Sequence, residues 1–138
     1  MGRVLVDSNV LLDLLTVDSK WFAWSAGEVD RLSRRHELCI NQIIYSEVSV
    51  GFDRIEDLEA AVPASDFTRL EMPWEAGFLA GKAYLEYRRR KGVKRSPLAD
   101  FHIGAHAALS GMALLTRDAA RYRTYFPTVE IIAPDGGE

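Results

Sequence analysis

Strand-length apolar runs recur along this chain, each followed by a segment of helical periodicity. That alternation constrains the fold more than any other feature. Residues 4–6 (VLV) suit a short buried strand, residues 37–41 (ELCIN) a second, residues 112–116 (MALLT) another and residues 129–132 (VEII) a last one. Residues 66–72 (DFTRLEM) alternate in polarity and read as one more. Between them lie helices. The first runs to about Leu15 with Ser8 or Asn9 as its cap. In the second, Phe22, Ala26, Val29 and Leu32 keep a helical spacing to about Arg35, with Asp18 and Ser19 offering a cap. Residues 42–52 (QIIYSEVSVGF) read as a helix despite their β-branched side chains, and a short helix over 56–61 stops before Pro63. Trp74, Phe78, Gly81 and Leu85 form one stripe of the clearest helix, which runs into the basic stretch 88–92, where Gly92 can end it. Ser96 and Pro97 suit the start of a helix reaching Gly111. Residues 117–126 give a turn and a short helix. Strands alternating with helices predict an α/β fold: a mostly parallel sheet of about five strands with helices on both faces.

At 138 residues, 1–138 should be a single domain with a loose tail, large enough to bury a core without disulfides or a structural metal. Cys39 is the only cysteine, which excludes a disulfide framework and a cysteine-based zinc site and agrees with a cytoplasmic location. No apolar run approaches the ~18 residues of a membrane span, and the N-terminus lacks the flanks of a signal peptide. The net charge of −3 does not exclude nucleic acid, because acids gathered in one place leave the remaining surface more basic than the total.

The acids are gathered. Asp7 follows the first strand directly, and Asp118 lies two residues beyond the strand at 112–116. In a parallel sheet of this kind, sites form at the carboxyl ends of the strands. Asp100 lies in the first turns of its helix among Leu98, Ala99, Phe101 and Ile103, and Glu47 is set among Ile43, Ile44, Val48 and Val50. Each has a plainer role when taken singly: Asp7 a cap, Asp100 a dipole partner, Glu47 a solvated residue, Asp118 a turn. Together, two acids at the carboxyl ends of strands and two on helices that could face them would be a rare accident. Two carboxylates about 5 Å apart repel by roughly 3 kcal/mol at an effective dielectric near ~20, so either their pKa values rise or a cation sits among them. Oxygen-only donors select a hard cation, Mg²⁺ or Mn²⁺. Such an ion suits phosphodiester hydrolysis.

Three stretches resemble a known family. "LVDSNVLLDLL" looks like the opening of PIN-domain ribonucleases, "YSEVSVGF" like their second acidic motif, and "PLADFHIGAHAALSGMALLTRDAARYRTYFPTVEII" like their closing half, with its T-x-D element. "LLTRDAARYRTYF" is especially close to the VapC-like toxins of bacterial toxin–antitoxin pairs, whereas residues 54–94 carry no diagnostic motif. The resemblance implies a PIN-like three-layer α/β/α sandwich and metal-dependent endonucleolytic cleavage of RNA, with tRNA or rRNA as targets. It also implies a homodimer and a cognate antitoxin that blocks the site. Asp7 and Asp100 would be the principal Mg²⁺ ligands. Glu47 and Asp118 would complete the site directly or through water. Thr116 would orient a carboxylate or water, and Asn9 would support the site from the first helix.

Other features carry weaker expectations. Arg88, Arg89, Arg90, Lys91, Lys94 and Arg95 form the strongest basic cluster, and Arg117, Arg121 and Arg123 flank Asp118. All of these are candidates for phosphate contact. His102 and His106 share a helix face, where packing or solvent contact is the better reading than a metal pair. Trp21 and Trp24 fall partly off their helix's apolar stripe and suit the core or an antitoxin groove; Gly77 and Gly81 permit close helix approach, within one chain or across a dimer. Two alternatives stand beside the nuclease. One is a catalytically silent module that binds RNA or protein. The other is a haloacid-dehalogenase-type phosphatase, which would want an aspartate where this chain has Asn9.

Overall fold

The computed structural model describes residues 2–90 and 98–134. Within them the chain forms β1 (Arg3–Val6), α1 (Ser8–Thr16), α2 (Phe22–Ser33), β2 (Glu37–Ile40), α3 (Gln42–Ser49) and α4 (Ile55–Ala61). It continues with β3 (Thr68–Arg69), α5 (Trp74–Arg89), α6 (Leu98–Ser110), β4 (Ala113–Leu115), α7 (Ala120–Tyr125) and β5 (Ile131–Ile132). The strands form one sheet in the order β3-β2-β1-β4-β5. Every pairing is parallel, so the sheet is wholly rather than mostly parallel. Helices cover it in the three-layer manner expected.

β1 is the central strand, with Leu5 opposite Cys39 of β2 and Leu114 of β4. Val4, Leu5 and Val6 are buried on both faces, which is why this strand is an unbroken apolar run rather than an alternating one. The chain winds outward from β1 through β2 to β3, then crosses to the other side of β1 to form β4 and β5. The strand order therefore reverses between β1 and β4, and such a reversal opens a crevice at the carboxyl ends of the strands. β3 is only two residues long, against the seven of its alternating segment; as an edge strand it has a single neighbour to pair with.

The long helix departs from expectation in the face it buries. Trp74, Phe78, Gly81 and Leu85 point to solvent, with Trp74 94% exposed. The buried face is the parallel stripe Ala76 and Ala80, continued by the half-buried Ala83, Tyr84 and Tyr87. Both stripes have helical spacing. The alanine stripe is inward because small side chains let α5 approach α6 closely. Among the described residues nothing lies within 4 Å of where a Cβ on Gly77 or Gly81 would sit, so neither marks a close helix approach there.

α6 is buried along most of its length, and Phe101 joins Tyr84, Tyr87, Tyr125 and Phe126 in one aromatic cluster. The Phe126 ring lies directly over Gly104, where any side chain would overlap it. Among the described residues no helix is long and apolar enough to cross a membrane. Ser96 and Pro97, named as a helix start, and Gly92 as a helix end lie outside the described residues.

Candidate active site at the carboxyl edge of the sheet

Two adjacent parallel strands end at the strand-order reversal and deliver the centre of the site. The Asp7 amide donates to Leu115 O at 2.9 Å, and the Thr116 amide donates to Ile132 O at 3.0 Å. These bonds carry the sheet one residue past each strand and bring both side chains to one rim. Asp7 is itself the N-cap of α1, its Oδ1 accepting from the Ser8 amide at 2.8 Å. The expected cap at Ser8 or Asn9 is thus displaced by one position, because both those side chains are used elsewhere. Ser8 Oγ donates to Glu47 Oε1 at 2.8 Å, which ties α3 to the start of α1. Asn9 Nδ2 donates to Thr116 Oγ1 at 3.1 Å, and Asn9 Oδ1 accepts from the Arg117 amide.

Thr116 Oγ1 also accepts from the Asp118 amide at 3.1 Å, and it donates to Asp7 Oδ2 at 2.9 Å. A second hydroxyl reaches the same carboxylate oxygen: Tyr122 OH donates to Asp7 Oδ2 at 3.0 Å. Tyr122 carries no signal of its own in the sequence. Its place in "RDAARYRTYF" reads as an ordinary apolar helix position, and only the fold brings it to Asp7.

Asp7 is 4% exposed, and burial is the chief cause that pushes its pKa from an ordinary 3.8 up to about 6. The hydrogen bonds from Thr116, Tyr122 and Ser8 pull it down, and the charge of Glu47 pushes it up. Asp100 is also raised to about 6, first by burial and then by the charge of Asp7. Arg121 opposes the rise, while Glu47 and Asp118 add to it. The charge of Glu47 thus reaches both Asp7 and Asp100, and those of Asp7 and Asp118 reach Asp100. Arg121 donates to Asp100 Oδ2 at 2.7 Å.

The remaining candidates separate from the acids. Arg117 donates to the buried Asp13 at 2.8 Å, Ser25 Oγ donates to the same Asp13 oxygen at 2.7 Å, and the guanidinium lies over the Trp21 ring. Trp24 packs against the core and meets Trp21 edge-on. Arg88 lies over Tyr84, Arg90 pairs with Glu86 at 3.0 Å, and Arg89 is exposed at the end of α5. Lys91, Lys94 and Arg95 lie outside the described residues. His106 is buried, with Asn41 Nδ2 donating to its Nδ1 at 3.0 Å, and burial lowers its pKa. Asn41 also caps α3 through the Ile44 amide. His102 Nδ1 meets Leu98 O at 3.1 Å, so the two histidines do not share a ligand position.

Among the described residues no three His, Cys, Asp or Glu side chains form a ready-made cage for an ion. The donor set fits instead a cation that keeps several waters and takes one or two direct carboxylates, which is the habit of Mg²⁺. Burial is the first cause of the raised pKa values of Asp7 and Asp100, and the charge of neighbouring carboxylates adds to it.

The sequence matches the model of the PIN domain over residues 4–127. This chain belongs to the PIN-domain family. PIN domains are nucleases, which act as hydrolases. Solved structures agree on the fold. A chain of the promoter-DNA-bound VapBC2 complex from Rickettsia felis superposes with a TM-score of 0.75 at 14% identity, covering 96% of this chain and 99% of that one. DNA-bound VapBC from Salmonella typhimurium gives 0.70 at 21% identity, covering 96% and 98%. A toxin–antitoxin complex from Klebsiella pneumoniae gives 0.66 at 22% identity, covering 95% and 97%. No curated protein matches the sequence.

Proposed function

We propose that this PIN domain is a Mg²⁺- or Mn²⁺-dependent endoribonuclease and the toxin of a VapBC-type pair. The observation that carries the reading is the placement of Asp7 at the sheet's carboxyl edge, bonded to Thr116 and Tyr122, with its charge and that of Glu47 reaching Asp100. Asp7 and Asp100 would hold the cation, and Glu47 and Asp118 would complete its site directly or through water. When bound, the ion neutralises phosphate charge and makes a water easier to ionise. The chain's own groups do the positioning. Ser8 holds Glu47, Thr116 and Tyr122 hold Asp7, and Asn9 holds Thr116. Arg121 balances the charge of Asp100 and is a candidate for a substrate phosphate. Arg88, Arg89, Arg90 and Lys91 are further candidates for the RNA backbone, whereas Arg117 is engaged by Asp13. Partners are RNA, with tRNA or rRNA as the substrate class, a cognate antitoxin and a second copy of the chain. The outward stripe of α5 is the surface available to that copy.

One observation favours a second reading. The Arg121–Asp100 pair satisfies an acid without metal, as a silent binding module would require. Incubation of total bacterial RNA with the purified chain separates the two. The nuclease reading predicts new fragments with Mg²⁺, none in excess EDTA and none with Asp7→Asn. No cleavage by the wild type favours the module, and equal cleavage by Asp7→Asn defeats the site assignment.

A further inference from the structure

Tyr122 is not needed at its position for packing alone. A phenylalanine would fill the same buried space, yet this chain places a hydroxyl there and spends it on Asp7. Each carboxylate oxygen offers about two lone-pair sites. Asp7 Oδ2 has both taken, one by Thr116 at 2.9 Å and one by Tyr122 at 3.0 Å. The direction of the Thr116 bond follows from its other partners. Asn9 Nδ2 and the Asp118 amide both donate to Oγ1, so its single proton is left for Asp7. Oδ1 has one site taken by the Ser8 amide at 2.8 Å. Among the described residues nothing else bonds the Asp7 carboxylate, so one lone pair on Oδ1 is what they leave for an incoming cation.

We propose that Tyr122 is a positioning residue that restricts Asp7 to one-point coordination through Oδ1, and thereby biases the site towards Mg²⁺ and against Ca²⁺. The inference rests on the reading that the site holds a divalent cation. Ca²⁺ accepts carboxylates at one or two points and takes six to eight oxygens, whereas Mg²⁺ keeps a strict octahedron with several waters. A carboxylate whose second oxygen is saturated is denied to Ca²⁺ as a two-point ligand and remains fully usable by Mg²⁺. The bias comes from the hydroxyl and not from the ring.

The test is calorimetric titration of the full chain with MgCl₂ and with CaCl₂, for the wild type and Tyr122→Phe, with thermal unfolding to check that the variant folds. The expected result is a ratio of Ca²⁺ to Mg²⁺ dissociation constants that falls by about tenfold in Tyr122→Phe, the scale on which partners of metal ligands act. The change should come from tighter Ca²⁺ binding. Thr116→Val opens Oδ2 from the other side and should move the ratio in the same direction, which keeps the test available if Tyr122→Phe does not fold. A ratio unchanged in either folded variant overturns the proposal. Failure of the wild type to bind either ion overturns the metal reading itself, and is thus a separate result.

Discussion

Replacing Asp7 by asparagine should change how stability depends on pH, and in a direction opposite to that of most acids. In the folded chain burial raises Asp7 from 3.8 to about 6. In the unfolded chain it ionises at its ordinary value. As pH rises from 3.8 towards 6, the unfolded chain loses its proton first, so rising pH favours unfolding. The stability from a protonated Asp7 is complete below the unfolded value and is lost as pH rises through the folded one. At about 1.36 kcal/mol per pH unit, the full effect is roughly 3 kcal/mol, of which about 2 kcal/mol falls between about pH 4.5 and about pH 7.5. Asparagine does not titrate. Urea unfolding with a chelator present should therefore show the wild type losing about 2 kcal/mol relative to Asp7→Asn over that range. Subtraction removes His106, whose lowered pKa works in the opposite direction over the same range. Asp100 adds to the effect, because the charge of Asp7 is part of what raises it. A difference that stays flat, or that grows in favour of the wild type with rising pH, would refute the reasoning.

Three further outcomes follow from packing. Gly104→Ala should lower stability by about 1–3 kcal/mol in denaturant unfolding, because the added methyl displaces the buried Phe126 ring. Arg117→Ala should cost about 1–3 kcal/mol, a range reduced from that of a fully buried pair because the arginine is partly exposed, and adding Asp13→Asn should recover part of the loss. Val17 ends α1 at φ 50°, where a β-branched side chain is strained, so Val17→Gly should raise stability by about 0.5–1 kcal/mol in the same assay.

The sheet was legible because its central strand is buried on both faces and so carries an unbroken apolar signal at residues 4–6. The same logic brought Asp7 and Asp118 to one rim, since a parallel strand fixes where its next residue emerges. Glu47 and Asp100 were legible as acids among apolar neighbours. The outward face of α5 was not, because two stripes of equal periodicity compete there and only contact with α6 decides between them. Nor was the role of Arg117 or Arg121. A basic residue near an acid in sequence reads as free for phosphate, while the fold gives Arg117 to Asp13 and Arg121 to Asp100. Tyr122 was illegible for a related reason. Its ring follows the helical pattern, and its hydroxyl finds a carboxylate 115 residues away.

The central claim is that the acidic edge holds a divalent cation. Anomalous diffraction from crystals grown with Mn²⁺ tests it most directly. The account predicts a manganese peak between Asp7 Oδ1 and Asp100, absent in Asp7→Asn crystals. No peak at that edge, or a peak that persists in Asp7→Asn, would contradict it.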